Sequence, residues 1–438
     1  MERFLMNKLV EWKDDRNRKP LIITGARQVG KTWLVREFGR RFFSDQIYIN
    51  FERQHSLHDL MEKTVSPDSI LEALSALYDR SIDPANTLII FDEVQEEPRA
   101  LTALKYFCEE KPEYAVIATG SFMGIALHKG TSFPVGKVNM ITLYPMNYRE
   151  FLCASGKEQL SEILAGGDIG MITSLKSMYI DLLRVYYVVG GMPAAVLNYL
   201  ESHNYSRVRD EQRLLLDYYR MDLSKHADPR LAVRLNQVWD IVPSQLAKEN
   251  KKFMFSLITK GARSKDYEMA LEWLRDCGLI YIVHRVTKPG IPLKFYEDLS
   301  AFKIYMNDVG LLGCAGDLEP EAVIEGNRLF SEFKGAISEQ YVLMQMISDM
   351  GIMPYYYSTE NSRGEIDFIT EKNGRLIPIE VKAEENLKAR SLRALKEKYP
   401  DAEAIRISMS DYRKQDWLTN LPLYAFTTLF SAAVSGDE

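Results

Sequence analysis

The sequence predicts a multidomain α/β protein whose first domain contains a parallel sheet. Three observations lead to this prediction: strand-length apolar runs alternate with helical segments in the first part of the chain, residues 157–232 have a helical pattern throughout, and strands and helices alternate again after residue 330. A chain of 438 residues has room for roughly two to four domains. We predict domains over residues 1–155, 156–232, 233–325 and 326–438.

The composition indicates ordinary buried cores and a slightly acidic surface. Hydrophobic residues make up 46% of the chain, and 55 Lys+Arg stand against 61 Asp+Glu, for a net charge of −6. Because proteins that bind nucleic acids or membrane surfaces are usually basic, contact with nucleic acid would require a local basic patch. No apolar run reaches the roughly 18 residues of a membrane span, so no membrane partner is expected.

The cysteines indicate a reducing compartment. Cys108, Cys153, Cys277 and Cys314 are far apart and form no C-x-x-C pair, which argues against a zinc ribbon and a disulfide framework. The first twenty residues mix acidic and basic side chains, unlike a signal peptide. We therefore expect a cytoplasmic protein.

The first domain has the element order of a parallel sheet covered by helices. Helical apolar spacing over residues 3–13 predicts a short helix, and the apolar run at 20–24 is followed by a glycine loop and a helix at 32–42. Further predicted elements are strands at 47–51, 88–91, 115–118 and 138–143, and helices at 68–78 and 99–109. Such alternation is typical of parallel sheets with helices on both faces.

The loop after the first predicted strand fits the phosphate-binding pattern G-x-x-x-x-G-K-[ST] in full. Its residues are Gly25, Ala26, Arg27, Gln28, Val29, Gly30, Lys31 and Thr32. The glycines let backbone N–H groups turn toward phosphate oxygens, and the following helix adds its positive N-terminal end. We expect Lys31 to reach the β- and γ-phosphates and Thr32 to ligate magnesium, so ATP and Mg²⁺ are the predicted cofactors.

A second part of this site follows the predicted strand 88–91, which ends in Asp92 and Glu93. The carboxyl ends of parallel strands meet the nucleotide, so we expect Asp92 in the magnesium shell and Glu93 beside the attacking water. A glutamate here favours hydrolysis over binding alone. The next strand ends in Thr119-Gly120-Ser121, where a hydroxyl is a candidate γ-phosphate sensor and a plain strand-to-loop turn is the equal alternative.

Residues 233–312 have a succession of short helices and strands that is compatible with a winged helix-turn-helix. Its recognition helix would lie within residues 261–276, where acidic side chains outnumber basic ones. Acidic side chains are unfavourable beside a DNA backbone. We therefore favour a protein-packing role for this segment over DNA binding.

A set of charged residues marks the C-terminal domain. Asp367 lies on a predicted strand at 365–370, and Glu380 and Lys382 share one face of the next strand because side chains alternate along a strand. Two carboxylates, joined by Glu339 from a preceding helix, are able to hold a divalent cation, Mg²⁺ or Mn²⁺, while Lys382 orients a water. The spacing by itself favours the alternative, a solvated cross-strand ion pair.

Six motifs, in their order along the chain, resemble those of bacterial and archaeal AAA-type ATP-binding proteins with an uncharacterised C-terminal module. They are Gly25–Thr32, Asp92–Gln95, Thr119–Ser121, Gly190–Pro193, Lys303–Leu311 and Gly364–Lys382. The resemblance covers nearly the whole chain. It implies an AAA+-like ATPase core, a helical and winged-helix middle, and a C-terminal domain similar to PD-(D/E)xK restriction-endonuclease-like folds.

The resemblance also implies roles for single residues. Lys31 and Thr32 match the phosphate loop, Asp92 and Glu93 match the Walker B pair, and Ser121 matches the sensor; Asp367, Glu380 and Lys382 match the nuclease-like triad, with Glu339 as the helix acid. The sequence departs from the family pattern at Ile366, where proline often precedes the aspartate, and at Lys137, where relatives often carry arginine.

Two hypotheses follow for the whole chain. In the first, Mg-dependent ATP hydrolysis is coupled to a nuclease-like domain that cleaves or binds nucleic acid. In the second, the chain is a regulatory ATP-dependent switch whose nuclease-like domain is a catalytically inactive binding platform. Nucleic acid, a protein partner and oligomerisation remain open from the sequence.

Overall fold

The computed structural model describes residues 1–54, 56–121, 133–248, 251–326, 328–359, 364–384 and 389–435. The contacts between residues divide the chain into two compact units. The first comprises residues 1–144 and 272–279, and the second comprises residues 145–271 and 280–438. The four domain boundaries predicted above remain predictions.

The first unit is built on a five-stranded sheet in which every neighbouring pair is parallel. Its strands are β1 (Leu21–Thr24), β2 (Asp45–Asn50), β3 (Thr87–Asp92), β4 (Ala115–Thr119) and β5 (Asn139–Thr142). The order across the sheet is β2-β3-β4-β1-β5. Strand β4 therefore lies between β1 and β3, and the predicted parallel sheet is confirmed.

The helices of this unit bury the apolar strands. They are α1 (Leu5–Asp14), α2 (Lys31–Phe42), α3 (Ser56–Lys63), α4 (Pro67–Tyr78) and α5 (Pro98–Glu110). Strands β3 and β4 are buried along their whole length, as expected for parallel strands covered on both faces. Phe91 lies at the centre of the core, 5.7 Å from the ring of Phe51 and 6.2 Å from that of Phe107.

The second unit begins with a helical region, as the sequence predicts. Its helices are α6 (Tyr148–Ala154), α7 (Glu158–Gly166), α8 (Ile169–Ser174), α9 (Lys176–Val189), α10 (Pro193–Ser202), α11 (Tyr205–His226) and α12 (Pro229–Leu246). Helix α13 (Ser264–Asp276) follows, and its last residues are counted with the first unit. Within the described ranges no single helix is long and apolar enough to cross a membrane. Helices α9 and α10 reach that length and hydropathy only when taken together, and they are bent by 119° relative to each other.

An eight-stranded mixed sheet forms the rest of the second unit. Its strands are β6 (Ile280–Val286), β7 (Glu297–Met306), β8 (Tyr355–Ser358), β9 (Glu365–Lys372), β10 (Arg375–Val381), β11 (Ala404–Ser408), β12 (Arg413–Lys414) and β13 (Leu418–Pro422), in the order β12-β13-β11-β10-β9-β8-β6-β7. Strand β6 pairs with β7 on one side and with β8 on the other. Strands from the predicted middle segment and from the C-terminal segment therefore share one sheet.

Helices α14 (Val309–Ala315), α15 (Pro320–Glu325), α16 (Arg328–Ser348), α17 (Arg390–Lys398) and α18 (Phe426–Ser435) complete this unit. The order α16, β8, β9, β10, α17, β11 agrees with the predicted alternation of strands and helices after residue 330. Strand β13 and helix α18 were not predicted. They extend the sheet and close the chain, with β13 buried throughout.

A buried polar contact explains the Gly190–Pro193 motif. The Asp308 carboxylate accepts hydrogen bonds from Gly191 N at 2.6 Å and from Leu311 N at 2.9 Å. A Cβ at Gly190, where φ is +71°, would lie 2.1 Å from Asp308 Oδ1, so no side chain fits there. Burial raises the pKa of Asp308 to about 6, although the backbone N–H groups oppose the shift.

We expect Asp308 to make stability fall as pH rises. The pKa of Asp308 is about 6 in the folded chain and about 3.9 in the unfolded chain. Between these values the folded state binds more protons than the unfolded state, so the free energy of unfolding falls as pH rises toward neutral. Over this range the loss is about 3 kcal/mol. Asp308→Asn cannot ionise, so its initial deficit relative to wild type should shrink as pH rises from 4 to 7.

Urea-unfolding midpoints across this range, measured on wild type and variant, test this expectation. Asp181→Asn makes the same charge change at a side chain that is 75% exposed, and serves as the control. A deficit for Asp308→Asn that stays constant across the range would show that Asp308 does not carry the pH dependence.

Candidate functional site

The loop between β1 and α2 has the backbone conformation that a phosphate-binding loop needs. Gly25, Gln28 and Gly30 have φ values of +138°, +65° and +95°, which are favoured by glycine and tolerated by few other residues. A Cβ at Gly25 would lie 2.1 Å from Leu143 O, so only glycine fits at the start of the loop. Arg3, which the sequence did not single out, supports the loop by donating to Val29 O at 2.8 Å.

Lys31 extends across this loop from the first turn of α2. Its Nζ donates to Gly25 O at 2.9 Å and to Ala26 O at 2.8 Å. Burial lowers the pKa of Lys31 to about 8, an effect that Glu93 and Asp92 partly oppose. An ammonium group held over the loop with its charge incompletely compensated is suited to bind an anionic ligand such as a phosphate.

Asp92 is the centre of a hydrogen-bond cluster to which three neighbouring strands and the first turn of α2 contribute. Its Oδ2 accepts from Thr32 Oγ1 at 2.9 Å and from Tyr48 OH at 2.6 Å, and its Oδ1 accepts from Thr119 Oγ1. The strand order β2-β3-β4 explains the grouping, because Tyr48 and Thr119 lie on the two strands that flank Asp92. A carboxylate and a hydroxyl at this spacing fit the oxygen ligands that Mg²⁺ prefers, so Thr32 and Asp92 are the residues that would hold it.

Sequence reasoning missed Tyr48 in this cluster, and the resemblance assigned the sensor role to Ser121 and not to Thr119. Of the two hydroxyls at the end of β4, it is Thr119 that donates to Asp92, while the predicted sensor Ser121 is buried two residues further on. Burial, followed by the hydrogen bond to Asp92, raises the pKa of Tyr48 to about 12, so the phenol keeps its proton and remains a donor. The sequence shows that Thr119 ends a predicted strand, but only the strand order shows that this strand lies next to β3.

Glu93, the residue after Asp92, has a left-handed backbone conformation. Its φ of +57° is uncommon for a residue with a side chain and is found most often at functional sites. Gln95 Nε2 donates to Glu93 Oε2 at 2.6 Å, which holds the carboxylate in place. Burial raises the pKa of Glu93, and the hydrogen bond from Gln95 opposes that shift. A partly buried carboxylate with a raised pKa is suited to accept a proton from water.

The structure also brings the predicted C-terminal residues together. Strands β9 and β10 are antiparallel neighbours, with Phe368 opposite Ile379, as the predicted hairpin requires. Asp367 Oδ2 accepts from Val381 N at 2.8 Å. Lys382 Nζ contacts Glu380 Oε1 at 2.6 Å, which is an ion pair between two residues of one segment with a buried carboxylate, and not the solvated cross-strand pair of the alternative.

Two lysines and a tyrosine that sequence reasoning did not assign to this cluster complete it. Lys251 pairs with Glu339, and Lys303 pairs with Glu365. Tyr305 OH donates to Glu339 Oε2 at 3.3 Å. Across the described ranges, no group of three or more His, Cys, Asp or Glu side chains is arranged to hold a metal ion. The carboxylates predicted to form a second metal site are instead neighbours of ammonium groups.

Comparison with protein families divides the chain into three matches. Residues 17–152 match the family described as AAA domain. Residues 180–322 match a domain of unknown function (DUF8612), and residues 334–426 match another (DUF4143). Together with the phosphate loop and the parallel sheet, the first match identifies residues 17–152 as an AAA-type domain.

No curated protein matches the chain. Among solved structures, the chain is similar to a Walker-type ATPase of Pyrococcus abyssi, with 16% identity, a TM-score of 0.43, and 72% of this chain and 95% of that one covered. It is also similar to the Orc1 protein of Aeropyrum pernix in complex with DNA, with 12% identity, a TM-score of 0.28, and 72% and 90% covered. These values are too low to establish a shared overall fold.

Proposed function

We propose that the chain binds Mg-ATP at the loop of residues 25–32 and hydrolyses it. The observation that carries the proposal is the 2.9 Å contact between Thr32 and Asp92, with Glu93 next to them. Lys31 would neutralise the β- and γ-phosphates, and Glu93 would orient and deprotonate the attacking water. Magnesium, held by Thr32 and Asp92, would supply further charge neutralisation.

Phosphate release by the purified chain tests this proposal. We expect turnover of ATP that requires Mg²⁺ and stops when EDTA is added. The absence of turnover in a folded protein that binds ATP would contradict hydrolysis, and the absence of ATP binding would contradict the site as a whole.

We further propose that the C-terminal cluster acts in binding and does not cut nucleic acid with the help of a metal ion. Support comes from Lys251 and Lys382, which contact Glu339 and Glu380, two of the carboxylates that were predicted to hold the metal ion. The chain would then be an ATP-dependent switch, with a protein or nucleic-acid partner bound through this unit. The grouping of Asp367, Glu380 and Lys382 supports the competing function, an ATP-gated nuclease.

One experiment separates the two functions. Plasmid, linear and single-stranded DNA and RNA are incubated with the chain and Mg²⁺ or Mn²⁺, with and without ATP, beside Lys382→Ala. We expect no cleavage while ATP hydrolysis is intact. Cleavage that disappears in Lys382→Ala would establish the nuclease. It would exclude the metal-free role of the C-terminal cluster, in which the cluster acts only in binding.

A further inference from the structure

The three lysines of the C-terminal cluster come from three separate segments. Lys303 lies on β7 and Lys382 follows β10, whereas Lys251 lies outside the sheet, between α12 and β6. The Lys251 side chain is only 13% exposed, and its partner Glu339 is buried on α16. A lysine from the segment between α12 and α13 therefore reaches a buried carboxylate on α16.

Nearby contacts fix the segment that carries Lys251. Phe253 N donates to Phe302 O at 2.7 Å, and the rings of these two residues stack at 5.4 Å with an interplanar angle of 17°. Gln245, on α12, exchanges two hydrogen bonds with the backbone of Met254, at 3.0 Å and 3.1 Å. The residues that follow Lys251 are therefore fixed in place, and this positions Lys251 beside Glu339.

The carboxylates and ammonium groups lie in one electrostatic neighbourhood. Burial would lower the pKa of Lys303, but Glu339, Glu365 and Asp367 raise it, so the amine stays charged. Burial would raise the pKa of Glu339, but Lys251 and Lys303 lower it, so the carboxyl also stays charged. Lys382 is likewise influenced by Glu380, Asp367 and Glu339.

A divalent cation does not fit this arrangement while Lys251 is in place. Both oxygens of Glu339 have partners, Lys251 on Oε1 and Tyr305 on Oε2. A metal ion bound to the same carboxylate would lie beside the ammonium group and be repelled by it. Glu380 Oε2, in contrast, is buried and has no hydrogen-bond partner among the residues that the structure describes, so one carboxylate oxygen of the cluster is left for another ligand.

We propose that Lys251 is a tethered cation that takes the place of a divalent metal ion at Glu339 and keeps the Glu339/Asp367/Glu380 cluster closed to metals. The inference rests on the proposed metal-free role of this cluster and goes further, because it assigns that role to one side chain. Removal of the Lys251 charge converts the cluster into a site for a hard divalent cation.

Binding of Mn²⁺, followed by electron paramagnetic resonance, tests the proposal on the full chain without nucleotide. All proteins carry Asp92→Asn, which removes the carboxylate expected to hold a divalent cation at the phosphate loop, and their remaining common Mn²⁺ background is subtracted. We expect Lys251→Met to bind one additional Mn²⁺ at least about tenfold more tightly than its parent. Adding Glu339→Gln should abolish that binding, and Lys251→Arg should behave like the parent.

Folding is monitored by circular dichroism because Lys251→Met leaves the buried Glu339 without its ion pair. If the variant is unfolded in metal-free buffer, Mn²⁺ should restore its structure or raise its melting temperature, since a ligand of the folded state stabilises it. A Lys251→Met variant that neither binds Mn²⁺ nor is stabilised by it would overturn the proposal. Mn²⁺ binding by the parent that depends on Asp367 would overturn it as well.

The two proposals fail in different ways. Cleavage of nucleic acid with Lys251 intact would remove the metal-free role of the cluster. Lack of Mn²⁺ binding in Lys251→Met, with no cleavage by wild type, would leave the metal-free role standing and reduce Lys251 to a structural ion pair.

Discussion

Glu93→Gln should retain ATP and lose its hydrolysis. Glutamine has nearly the same shape as glutamate and keeps an oxygen that can accept the hydrogen bond from Gln95, but it cannot take a proton from water. General-base catalysis contributes typically 10²- to 10⁴-fold, so we expect kcat to fall by between about 10²- and 10⁴-fold. Phosphate release under single-turnover conditions gives the rate, and calorimetry with Mg-ATP gives the affinity.

Glu96→Gln is the matched control. It makes the same chemical change three residues further along, at a partly exposed side chain, and should leave both quantities close to those of wild type. Normal phosphate release by Glu93→Gln would exclude Glu93 as the group that activates water. Loss of ATP affinity in the same variant would instead assign Glu93 to nucleotide binding.

The phosphate loop was predictable because its function imposes a local pattern. Gly25, Gly30, Lys31 and Thr32 are fixed in sequence by the turn that they form, and the strand before them and the helix after them are confirmed. Tyr48 and Thr119 reach Asp92 from neighbouring strands, 44 and 27 residues away in sequence. The strand order that brings them to Asp92 is a property of the whole sheet, so no local pattern carries it.

The same reasoning explains what was missed in the C-terminal cluster. Asp367, Glu380 and Lys382 lie on adjacent strands of a hairpin, where alternation along each strand predicts their common face. Lys251 is 88 residues from Glu339, and Lys303 is 62 residues from Glu365. A carboxylate set considered without these lysines indicates a metal site, whereas the set with them is compensated by ammonium groups of the chain itself.

There is also a physical reason why the sequence did not show that strands of two predicted domains share one sheet. The hairpin of β6 and β7 joins two strands that are close together in sequence. The hairpin joins the larger sheet because Arg285 pairs with Tyr356 and Val286 pairs with Tyr357. In sequence, helices α14, α15 and α16 separate these partners. Strand β13 is a short mixed run, Leu-Thr-Asn-Leu-Pro, in which apolar and polar residues follow neither period clearly.

Lys31→Ala should weaken binding of Mg-ATP severely. The lysine would donate charge-assisted hydrogen bonds to the phosphates, and loss of such contacts costs about 3 kcal/mol, or roughly a 100-fold rise in Kd. The Lys31 side chain is buried over the loop, so water replaces its contacts poorly. Calorimetry measures the change, with Lys8→Ala, an exposed lysine on α1, as the control. An unchanged Kd would remove Lys31 from the site.

The pH dependence of binding gives an independent test of the same residue. Because the pKa of Lys31 is about 8 in the free chain, the amine loses its proton above that pH, and phosphate binding then requires proton uptake. The Kd of wild type should be nearly constant below pH 8 and rise by up to about tenfold for each pH unit above it. Lys31→Ala has no amine to titrate, so its weak binding should show no such rise. A parallel rise in both proteins would assign the titration to another group.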